Sequence, residues 1–310
     1  MSGSAFGDLT VIVNPNAARG VVGERVPELR EALAAQGLPY ELHMAGSARE
    51  AEDAARGALR SGGRFVVAVG GDGTVQAVLN GFFDDGRPIV EGPVLGVVGA
   101  GSGCDLLRTF GLPSGTTDAV GHLTGENVYP FDVVRATVTG PGGERVSTYV
   151  HNLAEVGLGA SVLLRRKDLP AWTGRARDFL GFWLALARSR SVRVTIEADS
   201  RSFEAEAFNV VIGNAQFTNG GLRLSPRSFP GDGVLDVLVF TGPRSDAVTM
   251  LPRIFRHGDH VPDPHIHEMR SKIRVAIDAD RTLAVVADGN DLGQTPATFQ
   301  ILPRRILMKL

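Results

Sequence analysis

Residues 65–74 read Phe65-Val66-Val67-Ala68-Val69-Gly70-Gly71-Asp72-Gly73-Thr74, an apolar stretch that runs directly into a glycine-rich loop. About thirty residues further on, residues 94–105 repeat the arrangement as VLGVV followed by GAGSGCD. Apolar strands that end in glycine loops expose backbone N–H groups, and the helix that follows adds the positive end of its dipole. Each loop therefore predicts a phosphate-binding site. Each also carries one aspartate, Asp72 or Asp105, which would repel phosphate without a mediating cation, so the pair indicates a nucleotide held through Mg²⁺.

The positions of lysine exclude two common kinds of phosphate site. The first lysine of the chain is Lys167, so neither loop is a P-loop and this half lacks the lysine of a protein kinase. Gly99-x-Gly101 partly matches a dinucleotide fingerprint, but Cys104 stands where that fingerprint has Gly or Ala. A dinucleotide-dependent oxidoreductase therefore stays open as an alternative.

Length and composition limit the classes of protein to which the chain can belong. A chain of 310 residues predicts two domains, and 43% hydrophobic with 21% charged residues is ordinary for a globular protein. The net charge of −2 and the lack of basic runs argue against nucleic acid as a partner. The single cysteine excludes an intramolecular disulfide. No signal-peptide pattern and no apolar run of roughly 18–20 residues is present, so we expect a cytoplasmic protein.

Strand and helix patterns alternate over residues 8–125, which predicts a parallel sheet with helices on its faces. Residues 22–36 read as one helix, and Ser47-x-x-Glu50 as a capping box that opens another. After about residue 128, short apolar stretches such as 146–153 and 205–212 alternate with Gly/Pro/Asp turns. The fold class predicted is α/β plus β: a nucleotide-binding α/β domain over residues 1–128 and an antiparallel β-sandwich over residues 129–303 with a helical insertion.

The insertion, at about residues 160–189, has an unusual composition. It contains both tryptophans of the chain, Trp172 and Trp183, and the apolar run of residues 179–187 has arginines on both sides. Such a segment suits an interfacial helix or a lid over a lipid-binding cleft, with Trp172, Phe182 and Trp183 facing lipid. The alternative is a core helix that packs on the sandwich.

These motifs, with others that follow in order, resemble those of the diacylglycerol kinase and sphingosine kinase lipid-kinase family. Asn14-Pro15 through Gly20 resembles the NPxSGxG opening, and residues 70–74 resemble the GGDGT nucleotide loop. Residues 101–113 are similar to the GTGNDFAR…GIP segment. The later matches are Gly213-Asn214, Asn219-Gly220-Gly221, Ser225-Pro226, the run 232–237 and Asp288-Gly289.

The resemblance implies transfer of the γ-phosphate of ATP to a lipid hydroxyl, with ATP and Mg²⁺ on the first domain. It implies that the lipid alcohol binds to the second domain and that the last strand, about residues 304–310, returns to the first. Asp288 would be the general base, with Asp72 as the rival candidate. Asp105 and Asp132 would organise Mg²⁺ through water, and Asp232 and Asp236 would hold a separate structural divalent ion. The implied nucleotide contacts are Asn14, Pro15, Gly70, Gly71, Asp72, Gly73, Thr74, Gly101, Ser102, Gly103 and Asp105.

Four departures from the family pattern are present: Cys104 replaces Asn, Gln76-Ala77 replaces Asn-Glu, Asn290 replaces the Glu of DGE, and Gly99 replaces Pro. The loss of two carboxylates would alter metal dependence, redirect the acceptor or abolish activity. An NAD-kinase-like phosphotransferase and an inactive nucleotide- or lipid-binding regulator therefore remain alternatives. Peripheral contact with the inner face of the membrane is expected of a lipid kinase. The choice of lipid and the oligomeric state, homo-oligomers included, are left open.

Overall fold

The computed structural model describes residues 4–99, 104–113, 115–170 and 176–310, which divide into two compact units. The first unit holds the residues up to Val133 together with Asn219–Gly221 and Leu302–Leu310. The second holds Val134–Thr218 and Leu222–Ile301.

The first part of the chain alternates strands and helices. In order these are β1 (Leu9–Val13), a 3-10 turn (Ala17–Gly20), α1 (Val21–Glu24), α2 (Val26–Ala35), β2 (Tyr40–Met44), α3 (Ala48–Arg60), β3 (Phe65–Gly70), α4 (Asp72–Asn80), β4 (Phe83–Asp84), β5 (Arg87–Pro88), β6 (Val94–Gly99), α5 (Asp105–Phe110) and α6 (Thr116–Gly121).

Strands dominate the remainder. In order the elements are β7 (Val128–Thr139), β8 (Arg145–Val150), β9 (Leu153–Gly157), α7 (Leu158–Asp168), α8 (Ala176–Arg188), β10 (Val192–Ala198), β11 (Arg201–Ala207), β12 (Asn209–Gly213), β13 (Leu235–Phe240), α9 (Asp246–Thr249), α10 (Leu251–Arg256), β14 (Ile266–Ser271), β15 (Arg274–Ala279), β16 (Ala284–Ala287) and β17 (Asn290–Lys309).

The first unit is built on a parallel sheet. β1 pairs with β2 and β3, β3 pairs with β6, and β6 pairs with the last part of β17, all in parallel. Every residue of β1, β3 and β6 is buried, as expected for parallel strands whose two faces are both covered. The predicted parallel α/β architecture is confirmed.

The helix predicted over residues 22–36 is two helices, α1 and α2, which meet at Arg25. Pro27 lies in the first turn of α2 and has no N–H to donate to the preceding turn, so one helix ends and another begins there. At α3 the Ser47 side chain accepts the N–H of Glu50, as predicted, at 3.2 Å. The Glu50 carboxylate accepts the N–H of Gly46 at 2.8 Å, one residue before the cap.

The second unit is antiparallel and has its own core. Strands pair in the order β14-β13-β12-β9-β16 and, separately, β11-β10-β15, and β17 pairs with both β16 and β15. Alternate residues of β10 are buried, which is the period of a strand with one face on a core. Residues of both strand runs, among them Val210, Val237, Ile196 and Ile277, form one apolar cluster. The predicted second, antiparallel architecture is confirmed.

Two predicted strands are interrupted. The stretch 146–153 is split at His151-Asn152, because the N–H groups of residues 151–153 donate to the Asp288 carboxylate instead of a neighbouring strand. The stretch 205–212 is split at Phe208, whose N–H donates to the carbonyl of Phe240 and whose carbonyl accepts from Leu158.

The helical insertion consists of α7 and α8, which pack against each other at Gly181. A Cβ atom on Gly181 would lie only 3.2 Å from the backbone nitrogen of Arg166 on α7, so glycine permits this close approach. Ala185 and Leu186 on α8 belong to an apolar cluster with Leu153 and Phe208. None of the described helices combines the length and apolar character needed to cross a membrane.

A carboxylate, that of Glu155, is buried on the face of β9 that does not point into the sandwich core. Its neighbours in register are Val211 and Val286, both buried. Glu155 Oε2 accepts a hydrogen bond from Asn209 Nδ2 at 3.3 Å, and a Cβ atom on Gly159 would collide with the carboxylate. Burial raises the pKa of Glu155 to about 7, although the hydrogen bond from Asn209 opposes the rise.

Glu155→Gln should change how stability depends on pH. The folded-state pKa of Glu155 lies above the ordinary value of 4.5, because the fold favours the protonated carboxyl group. Protonated Glu155 therefore contributes to the stability of the fold below pH 4.5, and this contribution is lost as pH rises through about 7. Gln cannot ionise, so the variant does not lose stability in this way as the pH rises. Its free energy of unfolding relative to that of the parent should therefore rise by about 3 kcal/mol between pH 4 and pH 8.5, an interval that spans both pKa values. Guanidinium unfolding at the two pH values measures it. Glu204→Gln, at an exposed site on β11, is the control, and equal pH profiles for Glu155→Gln and the parent would contradict the prediction.

Candidate functional site

Three loops of the first unit begin at one edge of the parallel sheet. Val13 at the end of β1 is paired with Val69, and Gly70 at the end of β3 is paired with Gly99 of β6. The loops that follow these strands therefore start side by side. In open α/β sheets this carboxyl edge is where ligands bind.

Asn14 and Thr74, both predicted nucleotide contacts, are brought together at this edge. Asn14 Nδ2 donates to Thr74 Oγ1 at 3.2 Å, and Asn14 Oδ1 accepts the N–H of Asn16 at 3.0 Å. Gly70 leaves room for Thr74, since a Cβ atom there would collide with the threonine side chain. Pro15 lies in the same loop as Asn14, and Gly71 and Gly73 flank Asp72 at the start of α4.

The Asp72 carboxylate caps the neighbouring helix α5. Both of its oxygens lie 3.0 Å from the backbone nitrogen of Asp105, and Oδ1 lies 3.3 Å from that of Leu106. These are the first N–H groups of α5, which have no acceptor within the helix itself. A carboxylate at this position also interacts favourably with the helix dipole. Asp72 therefore ties the first glycine loop to the helix that follows the second.

Asp105 is buried next to Asp72. Its Oδ2 accepts the N–H of Gly220 at 2.8 Å, and its Oδ1 is buried without a hydrogen bond from the described residues, 3.3 Å from Arg108 Nε. Burial and the negative charge of Asp72 raise the pKa of Asp105 to about 6, against the opposing effects of the Gly220 N–H and Arg108. The other predicted contacts of this loop, Gly101, Ser102 and Gly103, lie outside the described residues.

The residues present fit a nucleotide bound with Mg²⁺. Asp72 and Asp105 lie close enough to repel each other, and a divalent cation would offset that repulsion. Mg²⁺ is commonly held by one or two carboxylates together with phosphate oxygens. Asp132, the other predicted Mg²⁺ residue, is fully buried, and its Oδ1 accepts the N–H of Arg304 at 2.7 Å. Within the described ranges, no three His, Cys, Asp or Glu side chains cluster closely enough to hold an ion by themselves.

In the second unit, Asp288 lies at the tip of the hairpin between β16 and β17. Asp288 and Gly289 have φ values of 50° and 79°, as a two-residue Asp-Gly turn requires. The Asp288 side chain is fully buried. Its Oδ2 accepts the N–H of His151 at 2.8 Å, and its Oδ1 accepts those of Asn152 and Leu153 at 3.1 and 3.3 Å.

Two residues outside the predicted set of site residues, His151 and Asn214, complete the surroundings of Asp288. His151 Nδ1 lies 2.7 Å from Asp288 Oδ2, and both side chains are buried. Asn214 Nδ2 donates to the carbonyl of His151 at 2.7 Å, and the N–H groups of Asn214 and Ala215 donate to the carbonyl of Asn152. Segments far apart in sequence therefore converge on one carboxylate. The Gly213-Asn214 motif was the available signal for Asn214, but nothing in the sequence marked His151.

The residues predicted to hold a structural ion have partners of their own. Asp232 Oδ1 accepts the N–H of Val234 at 2.9 Å in the turn before β13. Asp236 is buried, with Oδ1 accepting from Arg270 Nε and Oδ2 from Ser228 Oγ, each at 2.8 Å. Arg270 thus supplies a positive charge to Asp236. The ion itself stays a prediction.

The residues predicted to face lipid differ in exposure. Trp183 on α8 is 43% exposed, whereas Phe182 is half-buried and packs against an apolar cluster. Trp172 lies outside the described residues. Of the positions that depart from the family pattern, Ala77 and Cys104 are buried. Asp291, which follows Asn290, accepts the N–H of Gly293 at 3.1 Å.

Comparison with known proteins matches almost the whole chain. The model of the diacylglycerol kinase catalytic domain matches residues 8–136, and that of the YegS C-terminal NAD kinase beta sandwich-like domain matches residues 153–309. The chain is 24% identical to a diacylglycerol kinase of Bacillus subtilis strain 168, over 96% of this chain and 94% of that one. It is 24% identical to a diacylglycerol kinase of Mycobacterium tuberculosis strain H37Rv, over 97% and 96%. A solved diacylglycerol kinase structure from Bacillus anthracis strain Sterne shares the fold, with a TM-score of 0.73, 22% identity and coverage of 99% and 97%.

Removal of the Asp72 carboxylate should destabilise the first unit whatever its role in chemistry. Asp72→Ala leaves the first N–H groups of α5 without their acceptor, so the free energy of unfolding should fall by about 1–2 kcal/mol. Asp72→Asn keeps one acceptor oxygen and should lose less. Chemical denaturation measures both, with Asp8→Ala at an exposed site as the control. If Asp72→Ala were as stable as the parent, the Asp72 carboxylate would not stabilise the start of α5.

Cys104 should be unreactive in the folded protein. Burial, together with the charge of Asp72, raises the pKa of the thiol well above 9. Each unit of rise lowers the fraction of reactive thiolate roughly tenfold, and burial also blocks access. Reaction with a chromogenic disulfide at pH 8 should therefore be at least about tenfold slower in the native protein than in denaturant. Equal rates would mean that the start of α5 opens readily.

Proposed function

The chain belongs to the diacylglycerol kinase-like lipid kinase family, and we propose that it transfers the γ-phosphate of ATP to the hydroxyl group of a lipid such as diacylglycerol. The observation that carries the proposal is the junction of the two glycine loops in the first unit, where Asp72 caps α5 and lies beside Asp105. Phosphoryl transfer needs positioning and neutralisation of charge more than covalent chemistry. Backbone N–H groups and paired acids without a P-loop lysine supply that combination.

ATP supplies the phosphoryl group when bound, and Mg²⁺ neutralises charge on its phosphates. We assign ATP to the first unit. The N–H groups at the start of α4 would face phosphate, and Asn14 Nδ2 donates to the Thr74 hydroxyl. Asp72 and Asp105 would hold the cation, with Arg108 beside Asp105 as the local positive charge.

Asp288 is our choice for the general base. The acceptor hydroxyl gives its proton to the Asp288 carboxylate, its oxygen bonds to the γ-phosphorus, and the bond to the leaving ADP oxygen breaks. Three backbone N–H groups hold the carboxylate in one orientation. His151 Nδ1 lies 2.7 Å from the same oxygen, Oδ2.

Asp72 is the rival base. Its oxygens already accept the N–H groups of Asp105 and Leu106, so proton uptake by Asp72 would weaken the cap of α5. Asp288 likewise holds backbone N–H groups. The structural roles of the two carboxylates are therefore comparable, and kinetics must separate them.

The test is transfer of labelled γ-phosphate from ATP in Mg²⁺ buffer to diacylglycerol, monoacylglycerol, phosphatidylglycerol, ceramide, sphingosine and NAD. Asp288→Asn and Asp72→Asn are assayed beside the parent, and Asp280→Asn, at an exposed site of the second unit, is the control. We expect label in one lipid. Asp288→Asn should lower kcat by roughly 10²- to 10⁴-fold while the protein still binds ATP, because the base acts on the acceptor.

The other outcomes are equally informative. Loss of kcat in Asp72→Asn alone, in a protein of near-parental stability, would move the base to Asp72. Label in NAD would replace the lipid acceptor. Binding of ATP without transfer to any acceptor would favour the inactive regulator, for which Ala77 and Asn290 in place of two glutamates are the motivation.

A further inference from the structure

Among the side chains that the structure describes, the imidazole of His151 is the one that lies within ion-pair distance of the Asp288 carboxylate. Its Nδ1 atom is 2.7 Å from Asp288 Oδ2, and both side chains are fully buried. No arginine or lysine of the described residues forms an ion pair with Asp288, whose other donors are the backbone N–H groups of residues 151–153. The imidazole is thus the titratable partner of this carboxylate in the second unit.

The short distance indicates which nitrogen of the ring carries a proton. An unprotonated Nδ1 at 2.7 Å would face Asp288 Oδ2 with lone pair against lone pair, which is repulsive. A protonated Nδ1 can instead donate to the carboxylate, and 2.7 Å is within the usual range for a charge-assisted N–H···O hydrogen bond. The distance therefore favours the form of His151 in which Nδ1 carries a hydrogen atom.

The backbone on both sides of this ring is held by hydrogen bonds. The N–H of His151 donates to Asp288 Oδ2 at 2.8 Å, so the backbone and the side chain of one residue approach the same oxygen. Asn214 Nδ2 donates to the carbonyl of His151 at 2.7 Å. The N–H groups of Asn214 and Ala215 donate to the carbonyl of Asn152 at 2.9 and 2.8 Å. The position of the imidazole is therefore set by a connected network.

A donor at this oxygen matters for a carboxylate that accepts protons. A general base must be ionised before it takes up a proton, and it must be held in the orientation that the reaction needs. Burial makes the ionised form costly unless donors surround it. Asp288 Oδ1 accepts the N–H groups of Asn152 and Leu153, and Oδ2 accepts that of His151. A further N–H at Oδ2 favours the ionised form and restricts rotation of the carboxylate.

We propose that His151 is a positioning residue for Asp288, whose carboxylate its Nδ1–H group keeps ionised and oriented to take up the proton of the acceptor hydroxyl. The inference rests on the proposed function, because it gives His151 a part in the step assigned to Asp288. His151 acts through the carboxylate alone and contacts neither ATP nor the acceptor. Removal of the imidazole should therefore lower kcat and leave the KM for ATP unchanged.

The pair is tested first without turnover. The chain has seven histidines, so selective ¹⁵N labelling gives few imidazole signals, and the signal that disappears in His151→Asn is that of His151. We expect Nδ1 of His151 to carry a proton at pH 8. His260, whose Nε2 lies 3.1 Å from the carbonyl oxygen of Leu224, is the internal reference and should carry its proton on Nε2. A proton on Nε2 alone in His151 would overturn the proposal.

Kinetics then test the role of His151 in transfer of phosphate from ATP to diacylglycerol. His151→Leu removes the donor and should lower kcat roughly 10- to 100-fold, as expected for the loss of one hydrogen bond to a charged group. His151→Asn should recover most of this loss, because the Nδ2 atom of an asparagine lies close to the position of a histidine Nδ1. His257→Asn, at an exposed site of the same unit, is the matched control and should behave as the parent does.

A double variant separates positioning from damage to the fold. If His151 acts only through Asp288, adding His151→Leu to Asp288→Asn should lower kcat further by less than about threefold. Losses that multiply in the double variant would contradict the proposal, as would equal losses in His151→Asn and His151→Leu. Thermal unfolding verifies that each variant folds, and the NMR measurement on the parent stands if His151→Leu does not.

Failure of this inference can be told apart from failure of the proposed function. A parent that transfers phosphate to no lipid would refute the proposed function and the role in catalysis together, even where the NMR signal shows a proton on Nδ1. An active parent in which Asp288→Asn lowers kcat and His151→Leu does not would refute the positioning role alone. The proposed function would then stand without it.

Discussion

The parallel register of β1, β3 and β6 is the constraint on which the candidate nucleotide site depends. Pairing of Val13 with Val69 and of Gly70 with Gly99 brings the ends of three strands to one edge, although their loops are widely separated in sequence. The register is enforced by burial, since every residue of the three strands is buried. A slip by one residue would exchange the residues that face the helices on each side. The site thus inherits its geometry from the hydrophobic core of the first unit.

Short acidic side chains then connect segments that the sheet does not pair. Asp72 accepts the first N–H groups of α5, Asp132 accepts the N–H of Arg304, and Asp288 accepts those of residues 151–153. Each would be expensive to bury without these donors. Two of these carboxylates also have proposed chemical roles: Asp72 in holding the cation and Asp288 in proton transfer. Chemistry and backbone structure are therefore coupled in this protein, and kinetic changes on substitution must be interpreted together with stability.

The helical insertion follows a different physical rule. Strands β10 and β11 of the sandwich alternate more buried and more exposed residues, and their outer faces are polar. α8 instead presents Phe179 and Trp183 outward while Ala185 and Leu186 fill the core beneath. The free energy lost by leaving these rings in water is recovered only when something covers them.

Much of this protein was predictable from sequence because local patterns report local structure. Apolar strands that run into glycine loops predicted the parallel sheet, and alternation with turns predicted the antiparallel unit. The ordered motifs predicted the family.

Three local features were not predicted. The helix breaks at Arg25 because of a proline whose effect competes with a good helical pattern. The interruption at His151-Asn152 and the half-buried state of Phe182 each depend on a partner elsewhere in the fold. Nor could the sequence place His151 beside Asp288 or bury Glu155 beneath α7, because those contacts join residues that only tertiary packing brings together. The sequence by itself determined the two architectures and the chemical character of the loops. Tertiary structure alone decided which carboxylates lie together and what holds them, since electrostatic effects depend on distance and burial, which no linear spacing records.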